Sequence, residues 1–525
     1  MELIITEKRN MAKIFSEALS DKVVSKKYSL TSSSRCYIFS SGHIIQVEQK
    51  VKTWDLSSVE RILDNLISKK VKDEGFKKEL EELIKRTTKI IIATDYDTEG
   101  EVIGRDILKL SKRINLPVTR WKFSSLVKSE LLRSYKAQEN LENTDSLYYR
   151  GEARRELDFI EGISATKIIN LRKIIPKEEV GSSFYTVGRV KVGIMRILNE
   201  RNALVQQYLN NKYTLKKLRL ITSSGIVLET TINDTYKIPP SPTYNYKLKE
   251  RKEIIKSPLP YNTKRLIQKL AERYAPSIIK EGLEKLYYHG LITYPRTDTE
   301  LFDKDTYIKI VNNKKISSEL LISPEEFHKI SIQDKIVDHP AISPTFINSD
   351  CPVEYSKFYK DLEKILLEPF LKTLEKIKPY LEVEMEGILF STENTSNFKK
   401  IEKEDKKLQI IEKRIYKKNY TLPQLLEVMS KYKIGTKSTQ LSVICELESK
   451  KIFKRGELIE PNSMVIEEIL RRVDKASKDE SLFNKEYCLK IQEKIDNINN
   501  EKELKKLKKI IIDKWKRIVL EIKKL

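Results

Sequence analysis

The sequence predicts a multidomain protein of mixed class, α/β + α + β, and three observations carry that expectation. A chain of 525 residues is too long for one hydrophobic core, so roughly three or four domains are expected. The N-terminal part runs twice from a short apolar stretch through an acidic loop into a helical pattern, as a mostly parallel sheet flanked by helices would. After it, helical periodicity dominates and is broken by alternating polar and apolar stretches bounded by Gly, Ser and Pro.

Leu3-Ile4-Ile5 reads as a strand, followed by Thr6-Glu7-Lys8 and a helix through Met11, Ile14, Phe15 and Ala18. A second extended region, 37–48, is broken at Gly42, and a polar helical segment is expected over 59–86. Lys89-Ile-Ile-Ile-Ala-Thr-Asp95 reads as a buried strand running through Tyr96-Asp97-Thr-Glu99-Gly100 into a helix from 101 to about 110. A helix follows over 145–170 and another after the stretch 186–191, reaching about 201, then a hairpin over 213–232 turning at Ser223-Ser-Gly225. A proline-rich stretch leads to two helices, 263–274 and 276–289, the second closed by Gly290. A strand is expected over 380–390, helices over 423–432 and 440–450, and a lysine-rich helical pair over 484–525. The docking stripe of that pair is read as Ile510, Ile511, Trp515 and Ile522.

The charge balance narrows the function. Lys and Arg number 100 against 76 Asp and Glu, a net charge of +24, which favours a polyanion and makes nucleic acid the leading partner. A lysine-rich thermophile surface would account for the 34% charged content, but less well for the excess of one sign. The four cysteines lie too far apart for a Cys-x-x-Cys knuckle and read as reduced, mostly buried thiols of an intracellular chain. The first residues begin a strand where a signal sequence would carry an apolar core, and no run approaches the ~18 apolar residues of a membrane span.

Two stretches carry chemistry. Asp95-x-Asp97-x-Glu99 spaces three carboxylates so that an extended strand end would turn them to one face around a single cation. An oxygen-only donor set suits Mg²⁺. A calcium loop would also place Asp106 as a ligand, but it needs a helix where three isoleucines predict a strand. Glu7 adds a fourth carboxylate. Beside the others its pKa should be raised, which fits a general acid, while a further metal ligand remains an equal reading. The second stretch is Gly290-Leu-Ile-Thr-Tyr-Pro-Arg-Thr-Asp298. Tyr294 could attack phosphorus and Arg296 could grip phosphate oxygens, with Lys8 as another phosphate contact. One tyrosine among 25 means little without such partners.

Glu7-Lys8 with Asp95-x-Asp97-x-Glu99-Gly100 resembles the Toprim domain, a Rossmann-like unit. Adding the Tyr294 stretch, the chain resembles the type IA DNA topoisomerases of archaeal I/III type, which have a toroidal architecture. Further matches follow in the family's order: Ser41-Gly42-His43, Arg154-Arg155-Glu-Leu-Asp158, Val187-Gly-Arg189-Val, His339-Pro-Ala-Ile-Ser-Pro-Thr345 and Ile434-Gly-Thr-Lys-Ser-Thr439. The resemblance implies ATP-independent, Mg²⁺-dependent relaxation of negatively supercoiled DNA, and decatenation, through a 5′-phosphotyrosine intermediate, strand passage and religation. It makes Tyr294 the nucleophile, Arg296 and Lys8 the phosphate-stabilising cations, Glu7 the proton shuttle, and Asp95, Asp97 and Glu99 (with Glu7 as the alternative fourth) the metal ligands. Arg154, Arg155, Asp158, Arg189, His339 and Thr439 would line a single-strand groove.

The implied division is a Toprim domain over 1–140, a helical groove domain from 141–205 and 415–525, a β-rich arch from 206–260 and 380–414, and a tyrosine-bearing helical domain over 261–379. A chromosome-associated cytoplasmic monomer, with no membrane contact, is the expected state. The chain departs from the family's usual residues at Arg9, Lys191, Gly193 and Glu284. It is also expected to grip DNA through its basic surface, without zinc modules or a helicase module. A Toprim nuclease or a binding-only single-strand DNA protein is the alternative, though neither would need the Tyr294–Arg296 pair.

Overall fold

The computed structural model describes the chain except residues 41, 49–52, 66–67, 113–114, 172–173, 175–183, 315, 333–338, 347–350, 394, 396–397, 438, 479–480 and 525. Ser41 and Ser438 of the sequence motifs lie outside the described residues.

The N-terminal unit is built from β1 (Glu2–Thr6), α1 (Arg9–Ala18), β2 (Val24–Ser25), β3 (Ser29–Thr31), β4 (Arg35–Phe39), β5 (Ile45–Glu48), α2 (Leu56–Asn65), β6 (Ser68–Val71), α3 (Glu74–Ile84), β7 (Lys89–Ile92), α4 (Thr98–Ser111), β8 (Val118–Arg120), α5 (Lys128–Lys136) and β9 (Glu139–Asn140). Seven of these strands form one sheet in the order β2-β3-β4-β1-β7-β8-β9, with β4, β1, β7 and β8 parallel. The apolar runs of β1 and β7 are buried on both faces, as central parallel strands require. Leu3, Ile5, Ile90 and Ile92 pack into one core, and Ile4 and Ile91 into the other. β1 and β7 therefore end side by side, and the acidic loops follow both ends.

The polar segment 59–86 is not one helix. It breaks into α2, the short strand β6 paired antiparallel with β5, and α3, whose cap Asp73 accepts from the amides of Gly75 and Phe76. The expected helix at 101 begins earlier, at Thr98, because Asp97 caps it.

The helical part begins with the 25-residue α6 (Asp145–Ile169), which lies along α4, and α7 (Arg189–Asn211). Next come β10 (Thr214–Thr222) and β11 (Val227–Thr231), the predicted hairpin, and β12 (Asn245–Ile255). The tyrosine-bearing stretch sits among α8 (Thr263–Leu270), α9 (Pro276–Tyr288), α10 (Thr306–Asn313), α11 (Pro324–Lys329) and α12 (Ser356–Leu367). α8 ends four residues before the expected boundary, in a turn ahead of Pro276.

The strand expected at 380–390 is a hairpin, β13 (Leu374–Met385) and β14 (Ile388–Thr392), turning at Gly387 with φ +79°. β12 pairs with β13 over eleven residues, and α13 (Phe398–Lys403) and β15 (Lys406–Arg414) follow, β15 pairing with β10. The two small sheets share one core of Leu218, Leu220, Leu381, Val383, Met385 and Phe390.

The C-terminal part comprises α14 (Leu422–Lys431), α15 (Gln440–Ser449), the hairpin β16 (Phe453–Arg455) and β17 (Ile459–Pro461), α16 (Ser463–Ser477), α17 (Lys485–Asp496) and α18 (Glu501–Lys523). The terminal pair is helical as expected, and Ile511, Trp515 and Ile522 are buried. Ile510 is 44% exposed, since α18 turns it away from the α2, α6 and α16 contacts. The four cysteines are free; Cys36 and Cys488 are buried, whereas Cys351 and Cys445 are partly exposed. Among the described residues, no helix is long and apolar enough to cross a membrane.

Candidate active site

The Tyr294 stretch is held as an extended ribbon by local hydrogen bonding. Gly290, at φ +70°, closes α9 with its amide on the Tyr287 carbonyl, and the Leu291 amide reaches that of Leu286, as in a glycine-terminated helix. On one side the Thr293 amide donates to the Ser343 carbonyl and the Thr345 amide to that of Leu291. On the other, the Thr263 hydroxyl at the start of α8 reaches the carbonyls of Pro295 and Thr297 at 2.7 and 3.0 Å. The ribbon also crosses to the N-terminal unit, where the Tyr294 amide donates to the Ser124 carbonyl at 2.8 Å.

The acidic loop opposite is equally built. Arg120 is fully buried, pairs with Glu101, and donates to the carbonyls of Ile92, Trp121, Thr94 and Asp95 at 2.7–3.1 Å. Gly100 lets the loop fold back on α4, because a Cβ there would stand 2.1 Å from the Asp95 carbonyl oxygen. Asp97 Oδ1 caps α4, accepting from the amides of Glu99 and Gly100 at 3.0 and 2.8 Å.

These two pieces meet at Tyr294. Tyr294 is 2% exposed, its ring 4.4 Å from that of His339 and 5.2 Å from that of Tyr287. Its hydroxyl donates to Asp97 Oδ2 at 2.7 Å. Arg296 spans three carboxylates: Glu99 at 3.3 Å, Asp97 at 3.7 Å and Glu284 at 3.0 Å. Lys8 lies 3.3 Å from Glu7 and donates to the Tyr288 hydroxyl at 2.7 Å, and the Tyr287 hydroxyl reaches Asp95 at 3.3 Å. His43 Nε2 stands 3.9 Å from Glu99.

Burial and like charge set the protonation. Burial, then Asp95 and Asp97, push the Tyr294 phenol well above its ordinary range against the pull of Arg296, so it stands here as a neutral phenol. Burial raises Glu7 in the predicted direction, but as the leading cause, with Asp97 and Glu99 adding and Lys8 and Arg296 opposing. Asp95 is pushed far up by burial, Glu7 and Asp97. Burial would raise Asp97 too, but Arg296, the Gly100 amide and the Tyr294 hydroxyl outweigh it and hold its carboxyl below the usual range. His339 is driven down to about 3 by burial, and is neutral.

The extended strand end expected to space the three carboxylates is not what carries them. β7 ends at Ile92, so Asp95, Asp97 and Glu99 follow a loop and a helix cap, where strand alternation no longer applies. Among the described residues, no three acidic, His or Cys groups converge as a metal would need. The donor chemistry still suits Mg²⁺, since Asp97 and Glu99 offer oxygens alone and Arg296 lies against both. A divalent ion and this guanidinium would compete for the same two carboxylates.

The family can now be read. Residues 2–126 match the Toprim domain and residues 142–507 the DNA topoisomerase family, the latter well over half of the chain. The chain belongs to the type IA DNA topoisomerases. It is similar to DNA topoisomerase 1 of Archaeoglobus fulgidus, with 26% identity over 86% of this chain and 74% of that one. It is also similar to DNA topoisomerase 1 of Thermoplasma acidophilum, with 27% identity over 87% of this chain and 64% of that one. Full-length topoisomerase I from Thermotoga maritima shares the fold, with a TM-score of 0.70 at 17% identity over 99% of this chain and 90% of that one.

The six residues that the type IA resemblance assigns to a DNA groove are not alike in the structure. His339 belongs to the Tyr294 cluster, donating from Nε2 to the Tyr96 carbonyl at 3.0 Å. Arg154 reaches Thr98, beside the acidic loop, at 3.2 Å. Arg189 is buried against Asp158 at 2.8 Å and Glu161 at 3.7 Å. Arg155 is spent inside the fold, pairing with Asp106 at 2.5 Å and with Glu152. That pairing also removes Asp106 from any calcium loop. Thr439 is exposed and accepts from the Thr436 amide; its neighbour Lys437 pairs with Asp298 at 2.5 Å, joining that loop to the Tyr294 stretch.

Glu284, Tyr287 and Tyr288 touch the same cluster as the predicted residues. In the sequence the two tyrosines are ordinary helix positions, and Glu284 is only a departure from the family's usual residue. Their spacing of three and four on α9 was the available signal, since it puts all three on one face.

Proposed function

We propose that this type IA topoisomerase relaxes underwound DNA, and unlinks interlocked DNA, by cutting one strand through Tyr294, passing another through the gap and resealing. The single observation that carries the reading is the Tyr294 hydroxyl on Asp97 at 2.7 Å, nearly two hundred residues apart in sequence, at the meeting of two units. Transesterification exchanges one phosphodiester for another, so it needs no nucleotide; torsional strain in the DNA supplies the bias.

In the forward step Tyr294 Oη bonds to phosphorus, its proton passing toward Asp97, and the bond from phosphorus to the 3′-oxygen breaks. Glu7, whose carboxyl pKa burial raises, gives its proton to that departing oxygen and takes it back on resealing. Lys8 and Arg296 offset charge on the non-bridging oxygens. Mg²⁺, with Asp97 and Glu99 as its main ligands and Asp95 and Glu7 as further ones, would supply added positive charge at the site. Arg154, Asp158, Arg189, His339 and Thr439 are assigned to the approach of the single strand, and Arg155 to the wall behind it. The division of the chain into 1–140, 141–205 with 415–525, 206–260 with 380–414, and 261–379 follows from the same reading. The first and last of these would part to open the gate.

The test is denaturant trapping on a labelled single-stranded oligonucleotide. The wild-type chain should carry a covalent DNA adduct. Tyr294→Phe should carry none while binding the oligonucleotide normally. Normal relaxation by Tyr294→Phe would overturn the assignment, and free cleaved ends without an adduct would point to a Toprim nuclease.

A further inference from the structure

α9 presents Glu284, Tyr287 and Tyr288 on one face, and each touches a different member of the active site: Arg296, Asp95 and Lys8. The first contact lies within the tyrosine-bearing unit, whereas the other two cross to the sheet. The helix is firmly seated behind that face, since Gly282 packs so close to Phe358 of α12 that an added Cβ would stand 2.6 Å from its ring.

The contact on Lys8 is the most specific. A lysine ammonium has three N–H donors and no preferred direction of its own. Here the ammonium lies 2.7 Å from the Tyr288 hydroxyl and 3.3 Å from Glu7 Oε1, and 4.9 Å from the centre of the Tyr288 ring. The Lys8 side chain keeps 37% exposure, so its remaining donor is reachable from outside.

We propose that Tyr288 is the residue that aims Lys8: its phenol oxygen and the Glu7 carboxyl take two of the ammonium hydrogens and leave the third for the scissile phosphate. The inference rests on the function proposed above and adds a positioning residue to it. Tyr288 is the last residue of α9, six residues before Tyr294 on the same unit, whereas Lys8 follows β1 on the other unit. Lys8 is therefore aimed only while the two units are closed. When they part, the ammonium loses its guide, so the cation for resealing is restored by the same closure that returns the DNA ends.

Tyr288→Phe isolates the oxygen, because it keeps the ring under the ammonium and its packing on Tyr287. The measurements are the single-turnover rate of covalent adduct formation at saturating oligonucleotide and the Kd for that oligonucleotide. They are made on the wild type, Tyr288→Phe, Lys8→Ala and the double variant. Loss of one charge-assisted hydrogen bond should slow adduct formation by about 10- to 100-fold. The Kd should move less than about twofold, since the bond matters to the reacting phosphate more than to the bound strand. The double variant should be no slower than Lys8→Ala, because Tyr288 acts through Lys8. A wild-type rate in Tyr288→Phe would overturn the proposal. So would a double variant slowed by the product of the two single effects. A wild-type chain that forms no adduct would overturn the proposed function, and this inference with it.

Discussion

Gly151→Ala tests how closely the site depends on the contact between α4 and α6. A methyl group at 151 would stand 2.2 Å from the Thr98 carbonyl oxygen and 2.7 Å from Val102 Cγ2. The oxygen belongs to backbone, so the helices must separate by about 0.8 Å merely to restore a 3.0 Å contact. Such overpacking costs ~1–3 kcal/mol, offset by ~1 kcal/mol because alanine favours a helix over glycine. Net destabilisation is therefore small, ~0–2 kcal/mol. The catalytic loss should be larger. Thr98 opens α4, directly after Asp97, and the Arg154–Thr98 bond at 3.2 Å would stretch beyond reach. A displacement near 1 Å at reacting groups can cost ~100-fold. Adduct formation should thus fall ~10- to 100-fold while the melting temperature moves by only a few degrees. A variant that reacts at the wild-type rate and melts no lower would refute the close approach of these helices.

Other consequences follow from buried charge. Glu161 is fully buried and raised to about 7, mainly by desolvation. Its protonated form is favoured in the fold, so its contribution to stability is full below an unfolded pKa near 4.5 and is lost as pH rises through 7. Thermal unfolding should show that decline between pH 5 and 8, and Glu161→Gln should flatten it. Arg120→Leu would take the nearer of two cations from Glu101 in an interior where both are unexposed, leaving it Arg105 at 3.5 Å, and should cost up to ~3–5 kcal/mol. Adding Glu101→Gln should recover part of it, and strictly additive losses in unfolding would contradict the pairing. Asp97→Asn keeps an oxygen to cap α4 but removes the charge facing Arg296. It also removes the acceptor of the Tyr294 proton, so cleavage and resealing should both slow, and resealing should need at least about tenfold more Mg²⁺; an unchanged Mg²⁺ titration would remove Asp97 from the ligand set.

Legibility followed how local the controlling physics was. The isoleucine runs of β1 and β7 announced strands buried on both faces, and placed Glu7 and Asp95 at neighbouring ends. Gly290 announced the end of α9. β12 and the first part of β13 are illegible because most of their positions are charged or exposed; apolar alternation begins only at Leu381, Val383 and Met385, within the strand expected over 380–390. Their register is supported across strands by pairs such as Lys249–Glu382 and Lys378–Glu253. β6 was read as helix because Ser-Lys-Lys-Val has no apolar face; its partner β5 lies twenty residues away. The candidate site showed the same limit. Tyr294, Arg296 and the acidic loop were visible as motifs, but their geometry was not, since strand alternation was applied to residues that prove to be loop and helix cap. Arg155 looked identical to a groove arginine until its internal partners Asp106 and Glu152 appeared. Tyr288 looked like any helix tyrosine, because Lys8 is 280 residues away.

On the proposed function, Tyr294 is able to sever a chromosome; such a group is a hazard when left in the open, and Tyr294 is not left there. Its oxygen faces a carboxylate instead of water, its ring is enclosed by Tyr287 and His339, and its proton is held more tightly than in free tyrosine. Small phosphate esters drifting past meet no nucleophile. Under that proposal, a strand that lodges between the sheet edge and α9 and displaces Arg296 and Asp97 from their present partners is what releases it. The guard is the substrate itself: the bonds that keep the reagent harmless are the ones its proper target must replace.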